Sequence, residues 1–338
     1  MMPSVAFVFS VTGVLFLSGF VLFGRQLYRT QAVARGAPLV TMAGTVVFLE
    51  AMTVLIVAGC VPVRATWAAD TAPVRSEKPQ AGIRLDVFEL RHGGEFVQEV
   101  WIYRPDPLPK KRIPIVLVPP AGGNLFTAPT LGVGDQPEHV PYVEAGFAVV
   151  SFAMRGEVAD HASEWETIAA ALAFRSGRAG VDDARLALDL ALSVLPTVDR
   201  KAVFAAGHSS AATLVLLLAA IDDRIRGVAA YAPVWDVPGF LGQELVLALD
   251  AISPGYAEFL EWSSPDSHMR DLDVPLMLFH AEDDGVVPYE SALTSMRRAR
   301  AAGVELEFHS VESGGHYDSM ITMGIPAAIR WMHERRSP

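Results

Sequence analysis

Continuous apolar runs, each closed by glycine, proline or a polar turn, alternate with amphipathic segments from about residue 113 onward, and this alternation constrains the fold more than any other feature. "IPIVLVPPAGGN" (Ile113 to Asn124) and "AGFAVVSFAMRG" (Ala145 to Gly156) read as strands buried on both faces. "VDDARLALDLALSVLPTV" spaces Ala and Leu at three and four residues with Asp182, Asp183 and Asp189 between them, the signature of an amphipathic helix. The pattern then repeats: "KAVFAAGHSS" strand, "AATLVLLLAAI" helix, "IRGVAAYAPVWD" strand, "VPLMLFHAEDDGVVP" strand and loop, "SALTSMRRARAAG" helix, "VELEFHSVESGGHYDSM" strand and loop, and "GIPAAIRWMHERR" helix. Before it, "LDVFELR" and "EFVQEVWIYRP" flank "HGG" as a hairpin. The pattern predicts an α/β fold with a mostly parallel central sheet and helices on both faces. In such sheets ligands bind beyond the carboxyl ends of the strands, so candidate chemistry is sought just after each strand.

The N-terminal part obeys different rules. Residues 3–24, "PSVAFVFSVTGVLFLSGFVLFG", are long and apolar enough to cross a bilayer as a helix, and residues 37–63 form a second candidate helix. Arg25, Arg29 and Arg35 lie between the two runs without an acid, which assigns that loop to the cytoplasm and the chain after Val63 to the outside. Glu50 opposes the second span by about 2.5–3.5 kcal/mol, against roughly −0.3 to −0.6 for each surrounding Val, Leu, Ile or Phe. "VAGC" (Val57 to Cys60) resembles a bacterial lipobox, which would make Cys60 a lipidated N-terminus; either route anchors the domain at the cytoplasmic membrane on its extracytoplasmic side. The expected organisation is therefore a membrane-anchoring segment at 1–63, a linker at 64–82 rich in Ala, Pro and charge, and an α/β domain at 83–338.

Net charge is −11, which excludes a nucleic-acid footprint. With one cysteine in the chain, neither an internal disulfide nor a cysteine metal site is on offer. The strand-end test then selects residues. Ser209, in "GHSSA", sits between a strand and a helix, where a sharp turn exposes a hydroxyl, small neighbours such as Gly207 and Ala211 are required, and the helix N-terminus favours developing negative charge. A serine needs a base. Of nine histidines, His316 in "SGGHYDSM" directly follows a strand on a glycine loop and is the expected general base; His208, beside Ser209, is expected to pack elsewhere. Asp283 and Asp284, after the preceding strand, are both available to orient it. The chain order Ser, acid, His is one of the known triad orders.

These segments together resemble the α/β-hydrolase superfamily, and most closely the branch of dienelactone hydrolases and prolyl-oligopeptidase-type serine hydrolases, over about Leu85 to His333. "GHSSA" is similar to the nucleophile elbow, "HAEDDGVVP" to the acid segment and "SGGHYDSM" to the histidine segment. The resemblance implies Asp284 as the triad acid, with Asp283 in reserve. It implies an oxyanion hole from the backbone N–H of Ser210 and that of Ala121 or Gly122, since the "PPAGG" that replaces the family's usual "HG" loop has two prolines without a donor. It implies no metal and no organic cofactor. A small-molecule carboxylic ester or thioester is the expected substrate, cleaved through an acyl-enzyme. A prolyl-oligopeptidase-type peptidase is the alternative; such enzymes carry a β-propeller before the hydrolase domain, where this chain has apolar runs and a linker. An inert membrane-tethered binding protein on a hydrolase scaffold is the reading from another class. Trp235, Phe240 and Trp262, in the forty or so residues after Val234, are candidate pocket walls.

Overall fold

Alternation of side-chain direction along each central strand divides the interior into two cores, one on either side of a single sheet. The structure, a computed structural model, describes residues 72–92, 95–159 and 161–336. Their strands are β1 (Arg75–Gln80), β2 (Ile83–His92), β3 (Glu95–Pro105), β4 (Ile113–Leu117), β5 (Ala148–Phe152), β6 (Val198–His208), β7 (Val228–Tyr231), β8 (Leu276–Ala281) and β9 (Leu306–Val311). They lie in the order β1-β2-β3-β5-β4-β6-β7-β8-β9. β1, β2, β3 and β5 pair antiparallel, and the rest, from β5 through β9, run parallel.

The helices are α1 (Gln136–Glu144), α2 (Glu164–Ser176), α3 (Val181–Val194), α4 (Ser210–Ile221), α5 (Val237–Leu241), α6 (Gln243–Ile252), α7 (Tyr256–Trp262), α8 (Tyr289–Ala301) and α9 (Ile325–Glu334). Ile113, Ile115 and Leu117 of β4 pack with α3 and α4, while Val116 and Val118 face α1 and α9 on the other side. Strands covered on both faces need apolar side chains at every position, and β4, β5, β7 and β8 are buried throughout. Local signals fix the helix starts. Ser163 and Glu166 close a capping box ahead of α2, and Asp182 and Asp183 sit in the first turn of α3.

One expectation is corrected. Residues 64–82 were expected to be a linker, yet Arg75–Gln80 form β1, an edge strand on β2. Its side chains are almost all exposed, so no apolar period marks it; the Val74 amide bonding the Val87 carbonyl at 2.8 Å and the Ser76 hydroxyl bonding Asp86 at 2.6 Å hold it. The candidate spans at 3–24 and 37–63, and Cys60, lie outside the described residues. No helix among the described residues is long and apolar enough to cross a membrane.

Candidate active site

β6 enters its turn with every residue from Ala202 to His208 buried, and α4 starts at Ser210. Ser209 between them has φ 56° and ψ −119°, a left-handed conformation that costs a side-chain-bearing residue roughly 1–3 kcal/mol. The turn is that tight because helix and strand nearly touch: a Cβ on Gly207 would lie 2.6 Å from the backbone carbonyl carbon and oxygen of Ala211. The Ser209 amide bonds the Tyr231 carbonyl at 2.8 Å and so ties the elbow to the end of β7.

Asp284 and His316 follow the ends of β8 and β9. His316 Nδ1 and Asp284 Oδ2 are 2.7 Å apart. Asp284 Oδ1 accepts from the amides of Val286 and Val287 at 2.8 and 3.0 Å, and His280 Nε2 lies 3.2 Å from Oδ2. Burial pushes the Asp284 carboxyl upward, but the hydrogen bonds from His280, His316 and the two amides outweigh it and hold the group well below the usual carboxylate range. An ionised Asp284 therefore holds a proton on Nδ1 of His316 and leaves Nε2 as the nitrogen to accept one from a hydroxyl. The structure does not join the Ser209 hydroxyl to His316 by a hydrogen bond; such contacts in unliganded enzymes tighten with substrate.

His208, expected to pack elsewhere, instead holds the His316 loop. Its Nε2 donates to the His316 carbonyl at 2.7 Å, and the two rings stand 4.5 Å apart at an angle of 47°. Burial first, with the neighbouring His316, pushes it down to about 4, so it is neutral around pH 7. Asp283 does not reach the imidazole. Its carboxylate accepts from the Gly314 and Gly315 amides at 3.2 and 2.8 Å and fixes the backbone of the histidine loop. Gly314, at φ 130°, is needed there, since a Cβ would lie 2.4 Å from that of Ser319. His280 and the loop-holding roles of His208 and Asp283 carried no sequence signal beyond nearness to the elbow and to Asp284.

In the loop after β4, the amides of Ala121 and Gly122 have no hydrogen-bond partner among the described residues, whereas that of Gly123 donates to the Ser210 hydroxyl at 3.0 Å. As the first residue of α4, Ser210 has an N–H that precedes the first intrahelical bond, from Thr213 to Ser209 at 3.1 Å. Three amides are thus unspent where β4 and β6 end.

Residues 136–332, more than half of the chain, match the prolyl oligopeptidase family. The chain belongs to that family. Its fold is that of the α/β-hydrolases. Solved structures share the prolyl oligopeptidase family fold. They include an acylaminoacyl peptidase from Pyrococcus horikoshii (TM-score 0.57, 15% identity, 75% of this chain and 41% of that one). A puromycin-hydrolyzing peptidase from Mycobacterium tuberculosis is similar too (TM-score 0.60, 17% identity, 77% and 40%). So is a truncated carbohydrate esterase from gut microbiota (TM-score 0.50, 18% identity, 70% and 90%). The chain thus spans about two fifths of the length of the peptidases. No curated protein matches it in sequence.

Beside Ser210 this prolyl oligopeptidase family member has a pocket of about 20 Å³ lined by Leu125, Met154, Phe174, Leu214 and Val237, with the hydroxyl-bearing Thr127, Thr213 and Ser263. The candidate aromatics lie elsewhere. Trp235 is buried in the core, Phe240 is exposed, and Trp262 stacks on Phe259 beneath the Arg178 guanidinium. Among the described residues no three His, Cys, Asp or Glu side chains converge as a metal site.

Proposed function

We propose that the protein is an esterase in which Ser209 is the nucleophile, His316 the general base and Asp284 the residue that orients it. The observation that carries this reading is the 2.7 Å Asp284–His316 contact on a loop that His208 ties to the elbow holding Ser209. The Ser209 Oγ–H proton passes to Nε2 of His316 as Oγ bonds the ester carbonyl carbon. The carbonyl electrons move to oxygen, which the Ser210 amide and that of Ala121 or Gly122 receive. Collapse expels the alcohol with the proton from His316, and water, deprotonated by the same imidazole, releases the acid and restores Ser209.

The largely apolar lining beside Ser210 complements a neutral, short acyl group. A peptidase fits the family match equally well, and the relatives named above include both kinds. A fluorophosphonate probe on membranes carrying the protein, compared with Ser209→Ala, tests the nucleophile; p-nitrophenyl esters against aminoacyl amides test the substrate. Labelling lost in the variant with ester turnover is the expected result. Amide turnover in preference to ester selects the peptidase, and no labelling of a folded protein selects the inert binding protein.

The same proposal includes the anchor: residues 3–24 and 37–63 as spans, or a lipid on Cys60, with the catalytic domain outside the cytoplasmic membrane. A tag placed after Pro338 should be accessible to a membrane-impermeant reagent from the outer side, and labelling confined to permeabilised cells would contradict it.

A further inference from the structure

The loop between β4 and α1 is rigid at both ends and unsupported in its middle. Pro119 and Pro120 fix its start. At its far end Asn124 Oδ1 accepts from the Thr127 amide and hydroxyl, both at 2.9 Å, and from the Phe126 amide at 3.3 Å. Gly123 is packed so closely that a Cβ would lie 2.8 Å from Cδ of Pro129 and 3.1 Å from the Thr127 carbonyl oxygen. Gly122, at φ +97°, has open space where its Cβ would be. The one hydrogen bond from residues 121–123 to the rest of the protein, among the described residues, is the 3.0 Å contact from the Gly123 amide to the Ser210 hydroxyl.

That contact joins the two halves of the oxyanion site. One donor is the backbone N–H of Ser210 at the start of α4, and the other belongs to the loop. We propose that the Ser210 side chain is a positioning residue for catalysis: its hydroxyl latches the loop by Gly123 and sets the distance between the Ser210 amide and the amide of Ala121 or Gly122. This role rests on the esterase reading above. It also removes Gly123 from the candidate donors, because its N–H is already spent. The second serine of "GHSSA" thus acts on the same atoms as the first, through a neighbouring loop.

An oxyanion donor acts in the transition state and barely in the ground state, so misplacing it lowers kcat and leaves KM nearly unchanged. Losing a donor costs about 10²–10³ in kcat, and loosening one that remains present should cost about 10- to 100-fold. Ser210→Ala, Ser210→Thr and the parent are to be compared on p-nitrophenyl acetate, with melting temperature and hydrogen exchange at the Gly123 amide measured on the same samples. The expected result is a kcat loss in Ser210→Ala of that size, KM within about twofold, an unchanged melting temperature, faster exchange at Gly123, and recovery of both kcat and protection in Ser210→Thr, which keeps the hydroxyl. An active parent whose Ser210→Ala variant keeps its kcat, or keeps Gly123 protected, overturns the latch alone. So does a kcat loss that follows a fall in melting temperature and is not recovered by Thr. A folded parent that turns over neither ester nor amide defeats the hydrolase reading and the latch's catalytic role with it.

Discussion

Asp283 accepts the Gly315 amide at 2.8 Å, one residue before Asp284 takes the ring of His316 at 2.7 Å. Adjacent acids at the end of one strand thus hold the same loop twice, by its backbone and by its side chain. The two are not interchangeable. Asp284→Asn keeps the shape but can hold the imidazole in the wrong tautomer, and kcat should fall about 10⁴-fold. Asp283→Ala leaves the tautomer intact and loosens the loop, so a loss of about 10- to 100-fold is expected. Steady-state kinetics on p-nitrophenyl acetate separate them, and equal losses would refute the division.

Gly207→Ala should destabilise the fold by about 1–3 kcal/mol, because the added methyl meets backbone rather than a movable side chain. Urea denaturation reads this directly. A variant as stable as the parent would mean that α4 can retreat from β6.

Acyl length should be read at the pocket beside Ser210. A space of about 20 Å³ accommodates a group of roughly water or methyl size. Acetate esters should therefore exceed butyrate esters in kcat/KM by about tenfold or more. Met154→Ala or Leu214→Ala should narrow that ratio, whatever they cost in stability. A ratio unmoved in both variants would place the acyl group elsewhere.

Stability should depend on pH with opposite signs at two buried groups. His208 falls from 6.5 unfolded to about 4 folded, so its contribution is complete above 6.5 and is lost as pH drops toward 4. Glu138, pushed from 4.5 up to about 8 by burial and by the charge of Asp135, contributes fully below 4.5 and loses that contribution as pH rises toward 8. The difference in urea midpoint between parent and His208→Asn should widen from pH 4 to 6.5, and that between parent and Glu138→Gln should shrink from pH 4.5 to 8. Parallel curves would show that neither group changes its proton affinity on folding.

The central architecture was legible because strands buried on both faces demand unbroken apolar runs, and such runs are hard to mistake in "IPIVLV" or "PLMLFHA". Ser209 and the Asp283–Asp284 pair stand just after such runs, whereas His316 is marked by its glycine loop beyond a strand that is only half buried, and the choice of Asp284 over Asp283 comes from the family resemblance. β1 could not be picked out, since an edge strand with exposed side chains is held by hydrogen bonds that leave no hydropathy pattern. The supporting contacts were equally silent. His208 reaching the His316 carbonyl and Gly123 reaching Ser210 join residues 108 and 87 positions apart through backbone atoms that every residue possesses. Side-chain chemistry marks who reacts, and only coordinates show who holds the reactants still.

The left-handed backbone at Ser209 means that the molecule is under tension where it is proposed to work. Glycine adopts that conformation freely, so a Ser209→Gly protein should melt later than the parent while hydrolysing nothing. Stability alone would favour glycine at this position, so the strain counts against a reading of Ser209 as a mere turn residue.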